Sequence, residues 1–105
     1  MEKNTSKNNL KERKYGMYEA ILQLKDLDEC CRFFDDLCAM TELRSMEQRY
    51  EVARMLSEGK VYTDIMERSN ASSATISRVK RALNYGTGCL AEIIERVNQT
   101  EKEKE

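Results

Sequence analysis

Residues 62–83, YTDIMERSNASSATISRVKRAL, constrain this chain more than any other stretch. Apolar residues lie at helical spacing on either side of a short polar break. The first segment, Tyr62 to Arg68, is expected to form a helix that buries Ile65 and Met66. The break is Ser69, Asn70 and Ala71. A tight turn between two helices calls for one residue at positive φ. Asparagine is among the few side-chain-bearing residues that tolerate it, so the position falls to Asn70. Ser72 then offers a hydroxyl to cap a second helix, Ser73 to Leu83. That helix would bury Ile76, Val79 and Leu83, which recur at steps of three and four. We read the whole as a helix-turn-helix over about 62–83.

The other face of the second helix carries Ser73, Ala74, Ser77, Arg78, Lys80, Arg81 and Asn84. Small residues at a helix start let its N-terminus approach the floor of a major groove. Hydroxyls exchange hydrogen bonds with base edges, and arginine bonds guanine through two parallel donors. Lys80 and Arg81, one turn on, are placed for phosphates. The candidate DNA-binding residues are therefore Ser72, Ser73, Ala74, Thr75, Ser77, Arg78, Lys80, Arg81 and Asn84, and the expected partner is double-stranded DNA. An ordinary helical hairpin with solvated basic residues would share the basic character. The run SATISR after a polar turn is the more specific signal.

Net charge over 105 residues is -1, which says nothing about nucleic acid until its distribution is read. Residues 1–14 carry five Lys/Arg and two Asp/Glu, residues 15–67 six and twelve, and residues 92–105 three and five. Residues 68–91 carry four Lys/Arg and no acid, and that window holds the proposed reading helix. The acidic remainder would repel DNA and orient the molecule.

The absence of proline, with only four glycines, favours an all-α chain, and the length favours one domain. A charged fraction of 35% and a mean hydropathy of -0.75 leave a modest core for a monomer. Apolar stripes on several helices therefore suggest an oligomer. No apolar run is long enough to cross a bilayer and no signal peptide is read, so the expected location is the cytoplasm, with the nucleoid.

Residues 1–14 are read as a flexible basic arm. A first helix is expected from about Met17 to Gln23 or Lys25, with Tyr18, Ile21 and Leu22 on one face. A second, begun by Asp26 or Asp28, carries Leu27, Cys30, Cys31, Phe34, Leu37 and Cys38 as an apolar stripe. A third is expected from Thr41, as cap, to Glu58, with Gly59 ending it; its seam is Leu43, Met46, Tyr50, Ala53 and Leu56, flanked by Val52 and Met55. After NYGTG, a last helix from Cys89 to about Val97 buries Leu90, Ile93, Ile94 and Val97, and residues 98–105 form a charged tail. The domain proper is 15–97.

Chemistry is narrowly bounded. There is no histidine, hence no Ser-His or Cys-His nucleophile pair, and no enzymatic role is expected. The four cysteines lack the CxxC-type spacing of structural zinc, so no metal is expected. Cys30, Cys31 and Cys38 read as small buried apolar residues, with metal binding or redox sensing the less favoured reading.

The stretches QRYEVARMLSEGKVYTDI (Gln48 to Ile65) and NASSATISRVKRALNYGTG (Asn70 to Gly88) resemble the Trp repressor family, and within it the TrpR-related branch labelled YerC/YecD. The resemblance runs from Thr41 to about Gly88. It implies an all-helical fold and an intertwined homodimer in which the early helices of one chain pack around those of the other. It also implies two reading helices about one turn of DNA apart, as in helix-turn-helix dimers generally, Trp repressor among them. The two arginines that flank the tryptophan co-repressor in that family match Arg49 and Arg78, a candidate effector pocket. The glycine after the second arginine is Val79 here, whose methyls would intrude on an indole ring, and the nearby hydroxyl is Ala82. Tryptophan is therefore not expected as co-repressor, no cofactor is expected, and any effector is unknown. The reading is a homodimeric, sequence-specific DNA-binding regulator, a repressor of a palindromic operator. The alternative is a helical dimer that acts as a protein–protein interaction module.

Overall fold

Capping residues set several helix boundaries here. The structure, a computed structural model, describes residues 13–104, so the arm expected over residues 1–14 lies, Arg13 and Lys14 apart, outside the described residues. The described chain is all-helical: α1 (Tyr15–Ile21), α2 (Leu27–Leu37), α3 (Met40–Ser57), α4 (Tyr62–Ser69), α5 (Ser73–Tyr85) and α6 (Cys89–Lys104). These helices fall into two compact units that part between Ala39 and Met40.

In the first unit, α1 starts at Tyr15 rather than Met17 and stops at Ile21. It stops because the Gln23 and Leu24 N–H groups close on the Ala20 and Ile21 carbonyls in tighter three-residue steps. Asp26 caps α2 by accepting the Glu29 N–H at 2.8 Å, and the Glu29 carboxylate accepts the Lys25 N–H at 2.9 Å. That reciprocal pair satisfies two donors at the helix start in the manner of a capping box. Neither helix contains a buried residue. Leu22 is 81% exposed, Leu27 79% and Leu37 54%. Cys30 and Cys38 are only half-buried and Cys31 is exposed, which corrects the expectation that all three are core residues. Their stripe is present, but none of its residues is buried among the described residues.

The second unit has a core. α3 ends as its glycine requires: Gly59 takes φ 83°, its N–H reaches the Leu56 carbonyl at 3.0 Å, and the Lys60 N–H reaches Met55 at 3.1 Å. This is a Schellman termination, which only a residue tolerant of positive φ can make without strain. The helix begins at Met40, so Thr41 lies inside its first turn and does not cap it; only Cys38 and Ala39 separate α2 from α3.

α5 packs against α3, and α4 lies against both. Val52, Ala53 and Met55 of α3 meet Ile65 of α4, Ala71 of the turn, Ile76 and Val79 of α5 and Ile94 of α6. Full burial of an isoleucine is worth roughly 1.5–3 kcal/mol, so Ile65, Ile76 and Ile94 carry much of this small core. Two expectations shift. Met46 is 41% exposed, although Leu43 and Ala53 of the same expected seam are buried, as are Val52 and Met55 beside it. Met66 is also exposed: adjacent residues point about 100° apart on a helix, and α4 has only one covered line, which Ile65 fills.

α6 continues to Lys104 rather than stopping near Val97. The Gln99 amide donates to the Glu95 carboxylate at 2.9 Å and the Thr100 hydroxyl to the Arg96 carbonyl at 3.0 Å. Lys102 and Lys104 in the last turn complement the helix dipole.

Candidate nucleic-acid interface

The turn between α4 and α5 is built by short-range hydrogen bonds. Asn70 occupies the left-handed region at φ 65°, ψ 13°, the one non-glycine residue at positive φ among the described residues. Its N–H closes α4 on the Met66 carbonyl at 3.0 Å. The Ser69 hydroxyl donates to the Ile65 carbonyl at 2.6 Å and accepts the Ala71 N–H at 3.1 Å. From α3, the Gln48 amide donates to the Ser69 carbonyl at 3.1 Å, which satisfies an acceptor that the helix end leaves open. Ala71 is buried beneath the turn.

Ser72 starts α5. Its Oγ accepts the Thr75 N–H at 3.1 Å and donates to Thr75 Oγ1 at 3.2 Å. Thr75 is half-buried and engaged in the cap, so of the candidate residues it is placed to fix the helix start rather than to face outward. At the far end, Gly86 closes α5 with its N–H on the Ala82 carbonyl at 2.9 Å. A Cβ at Gly86 would collide with that same carbonyl oxygen, so the residue must be glycine for a reason of space rather than of φ.

Between these ends, Ile76 and Val79 are buried and Leu83 packs on the core, while Ser73, Ala74, Ser77, Arg78, Lys80, Arg81 and Asn84 are all exposed. At 3.6 residues per turn, Ala74, Arg78, Arg81 and Tyr85 follow one line along the outer face, with Ser73, Ser77 and Asn84 beside it. Lys80 lies at the flank nearest α4, its Nζ 5.8 Å from the centre of the Tyr62 ring. The Arg81 guanidinium carbon lies 5.9 Å from the centre of the Tyr85 ring. Sequence reasoning missed both tyrosines. The spacing from Ala74 through Arg78 and Arg81 would have found Tyr85; Tyr62 becomes visible only once α4 packs against α5.

The electrostatics of this face differ from those of α3. Arg54 bonds Glu51 and, at 2.6 Å, Glu58. The hydrogen bond to Glu51 pushes its pKa further up, against the opposing effect of burial. Arg32 and Arg68 are likewise paired within their own helices, with Asp28 and Asp64. Arg78, Lys80 and Arg81 have no carboxylate partner among the described residues, because residues 68–91 contain none and no other segment supplies one. Their charge is available to an external anion.

The two candidate effector residues are both exposed. The Arg49 guanidinium donates to Ser45 Oγ at 3.0 Å, and Arg78 has no ion-pair partner among the described residues. Val79 is 6% exposed, within the core. Among the described residues no group of three or more His, Cys, Asp or Glu converges as a metal site, and no helix is long and apolar enough to cross a membrane.

Comparison with known proteins covers both units. A family model described as the Trp repressor protein matches residues 15–98. Over 87 residues the chain is 55% identical to the uncharacterised protein YerC of Bacillus subtilis strain 168, spanning 83% of this chain and 84% of that one. A crystal structure of a TrpR-like protein from Eubacterium eligens superposes with a TM-score of 0.76 at 51% identity, covering 78% of this chain and 84% of the other. A candidate Trp repressor from Staphylococcus aureus gives 0.75 at 46% identity, covering 78% and 82%.

Proposed function

The chain belongs to the Trp repressor family, a family of DNA-binding regulators, and from that premise we propose that it is a sequence-specific regulator that reads DNA through α5. The observation that carries the proposal is the outer face of α5. It begins with small residues, is fixed by the Ser72 cap, and presents three cations with no carboxylate partner among the described residues. Ser73, Ala74 and Ser77 approach base edges; Arg78 bonds a base or a phosphate; Lys80 and Arg81 bond phosphates, with Asn84 at the margin. Ser72 and Thr75 hold the helix start. Residues 15–97 form the DNA-binding domain.

The working form is a homodimer that represses transcription at a palindromic operator in the cytoplasm. The apolar residues left open in the first unit support a second copy, since Leu22, which follows α1, and Leu27 and Leu37 of α2 are exposed among the described residues. Tryptophan is not the effector in this reading. Val79, whose side chain is buried in the core, stands where the family's co-repressor site has glycine. Saturating tryptophan should leave the melting temperature unchanged.

Selection of bound duplexes from a random pool, at near-physiological salt, tests the proposal. A two-fold symmetric motif is expected, and Arg78→Ala with Arg81→Ala should abolish its recovery. Sequence-indifferent recovery, equal for the wild type and the double variant, would favour a helical dimer that docks on another protein.

A further inference from the structure

We propose that Tyr62 and Tyr85 are positioning residues for DNA binding, whose ring faces hold Lys80 and Arg81 in place while leaving their charge free for phosphates. The inference rests on the DNA-reading role of α5 and deepens it. A long cationic side chain loses rotamer freedom when it docks on a phosphate, and restricting it beforehand lessens that loss. Proteins commonly restrict a lysine or arginine with a carboxylate, as α3 does with Arg54, but a carboxylate also neutralises it. An aromatic ring attracts the cation through its quadrupole and carries no net charge. On α5 the braces among the described residues are of the second kind: Tyr62 at 5.8 Å from Lys80 Nζ, and Tyr85 at 5.9 Å from the Arg81 guanidinium carbon.

The two rings are anchored differently. Tyr62 is half-buried and packs against the core, so its ring is fixed and ties Lys80 to α4. Tyr85 is 80% exposed, the last residue of α5 before Gly86, and packing does not account for a large aromatic so open to solvent. It continues the line of Ala74, Arg78 and Arg81, the line that would face the duplex.

The test is a double-mutant cycle on Tyr85 and Arg81. Affinity is measured over a salt series on a duplex recovered in the selection and on a mixed-sequence duplex. Tyr85→Leu should weaken binding by about two- to fivefold per protomer, the range for an exposed cation–π contact, with melting temperature and salt slope unchanged because no charge is lost. Tyr85→Phe, which keeps the ring face, should bind like the wild type. In an Arg81→Ala background, Tyr85→Leu should have no further effect. The same cycle with Tyr62→Leu and Lys80→Ala cancels any effect of Tyr62 on packing that both arms share, and should also show coupling. Binding by Tyr85→Leu equal to wild type would overturn the inference while leaving DNA reading intact. Loss in Tyr85→Phe as large as in Tyr85→Leu, or an undiminished Tyr85 effect without Arg81, would also overturn it. Failure of the wild type to bind either duplex would overturn the DNA reading itself, and this inference with it.

Discussion

Leu27 and Ile76 hold similar places in the sequence: each is an apolar residue in a helical stripe opposite charged neighbours. Leu27 is 79% exposed, whereas Ile76 is fully buried. The same contrast divides the two units. α3, α4, α5 and α6 enclose a core, while α1 and α2 carry equally regular stripes and bury none of their residues. A periodic apolar face says that a helix needs a cover; it does not say which chain provides it. In the second unit the cover is local. In the first, no residue of α1 or α2 is buried among the described residues, and a second copy is the occupant proposed above.

The largest expected effect lies in the enclosed unit. Ile76→Ala should cost about 2–5 kcal/mol in chemical denaturation, since it empties a fully buried site beneath the reading helix. A cost within the range of a surface change would mean that this core is not the source of stability. Leu27→Ser probes the open unit and decides what covers it. If a second copy buries Leu27, unfolding should lose roughly 1.5–3 kcal/mol and the midpoint should fall on dilution. If the face is simply solvated, the change should stay within about 0.5 kcal/mol and be independent of protein concentration.

A smaller effect separates local from tertiary causes. Asn70→Gly should be neutral or slightly stabilising, because glycine takes φ 65° without strain. Asn70→Val should destabilise by at least about 1–2 kcal/mol, with a β-branched residue forced into the left-handed region. Equal midpoints for the two variants would show that the turn does not depend on that residue.

What was legible in the sequence divides along the same line. Asn70, Ser72 and Gly59 are readable because caps and turns depend on residues three or four apart, whereas the sequence leaves Asp26 and Asp28 both open as the start of α2. The burial of Ile65, Ile76, Val79 and Ile94 followed from periodicity. Met46, Met66 and Cys31 were misplaced because exposure depends on which neighbour covers a stripe, which spacing alone does not encode. Thr41 looked like a cap until the two-residue link from α2 left the helix starting ahead of it. The Gln48 bond to the Ser69 carbonyl and the Lys80–Tyr62 contact join separate helices, so neither leaves a local trace. Tyr85 lies beyond the apolar pattern, which stops at Leu83 while the helix continues to Tyr85.

In the proposed dimer two copies of α5 bring their cations to DNA phosphates, and the salt dependence of duplex binding by wild type and Arg81→Ala tests this. Each phosphate contact adds about 0.9 to the slope of log affinity against log salt, so losing one contact per protomer of a dimer should flatten the slope by about 1.8. A slope and affinity identical to those of the wild type would contradict the claim.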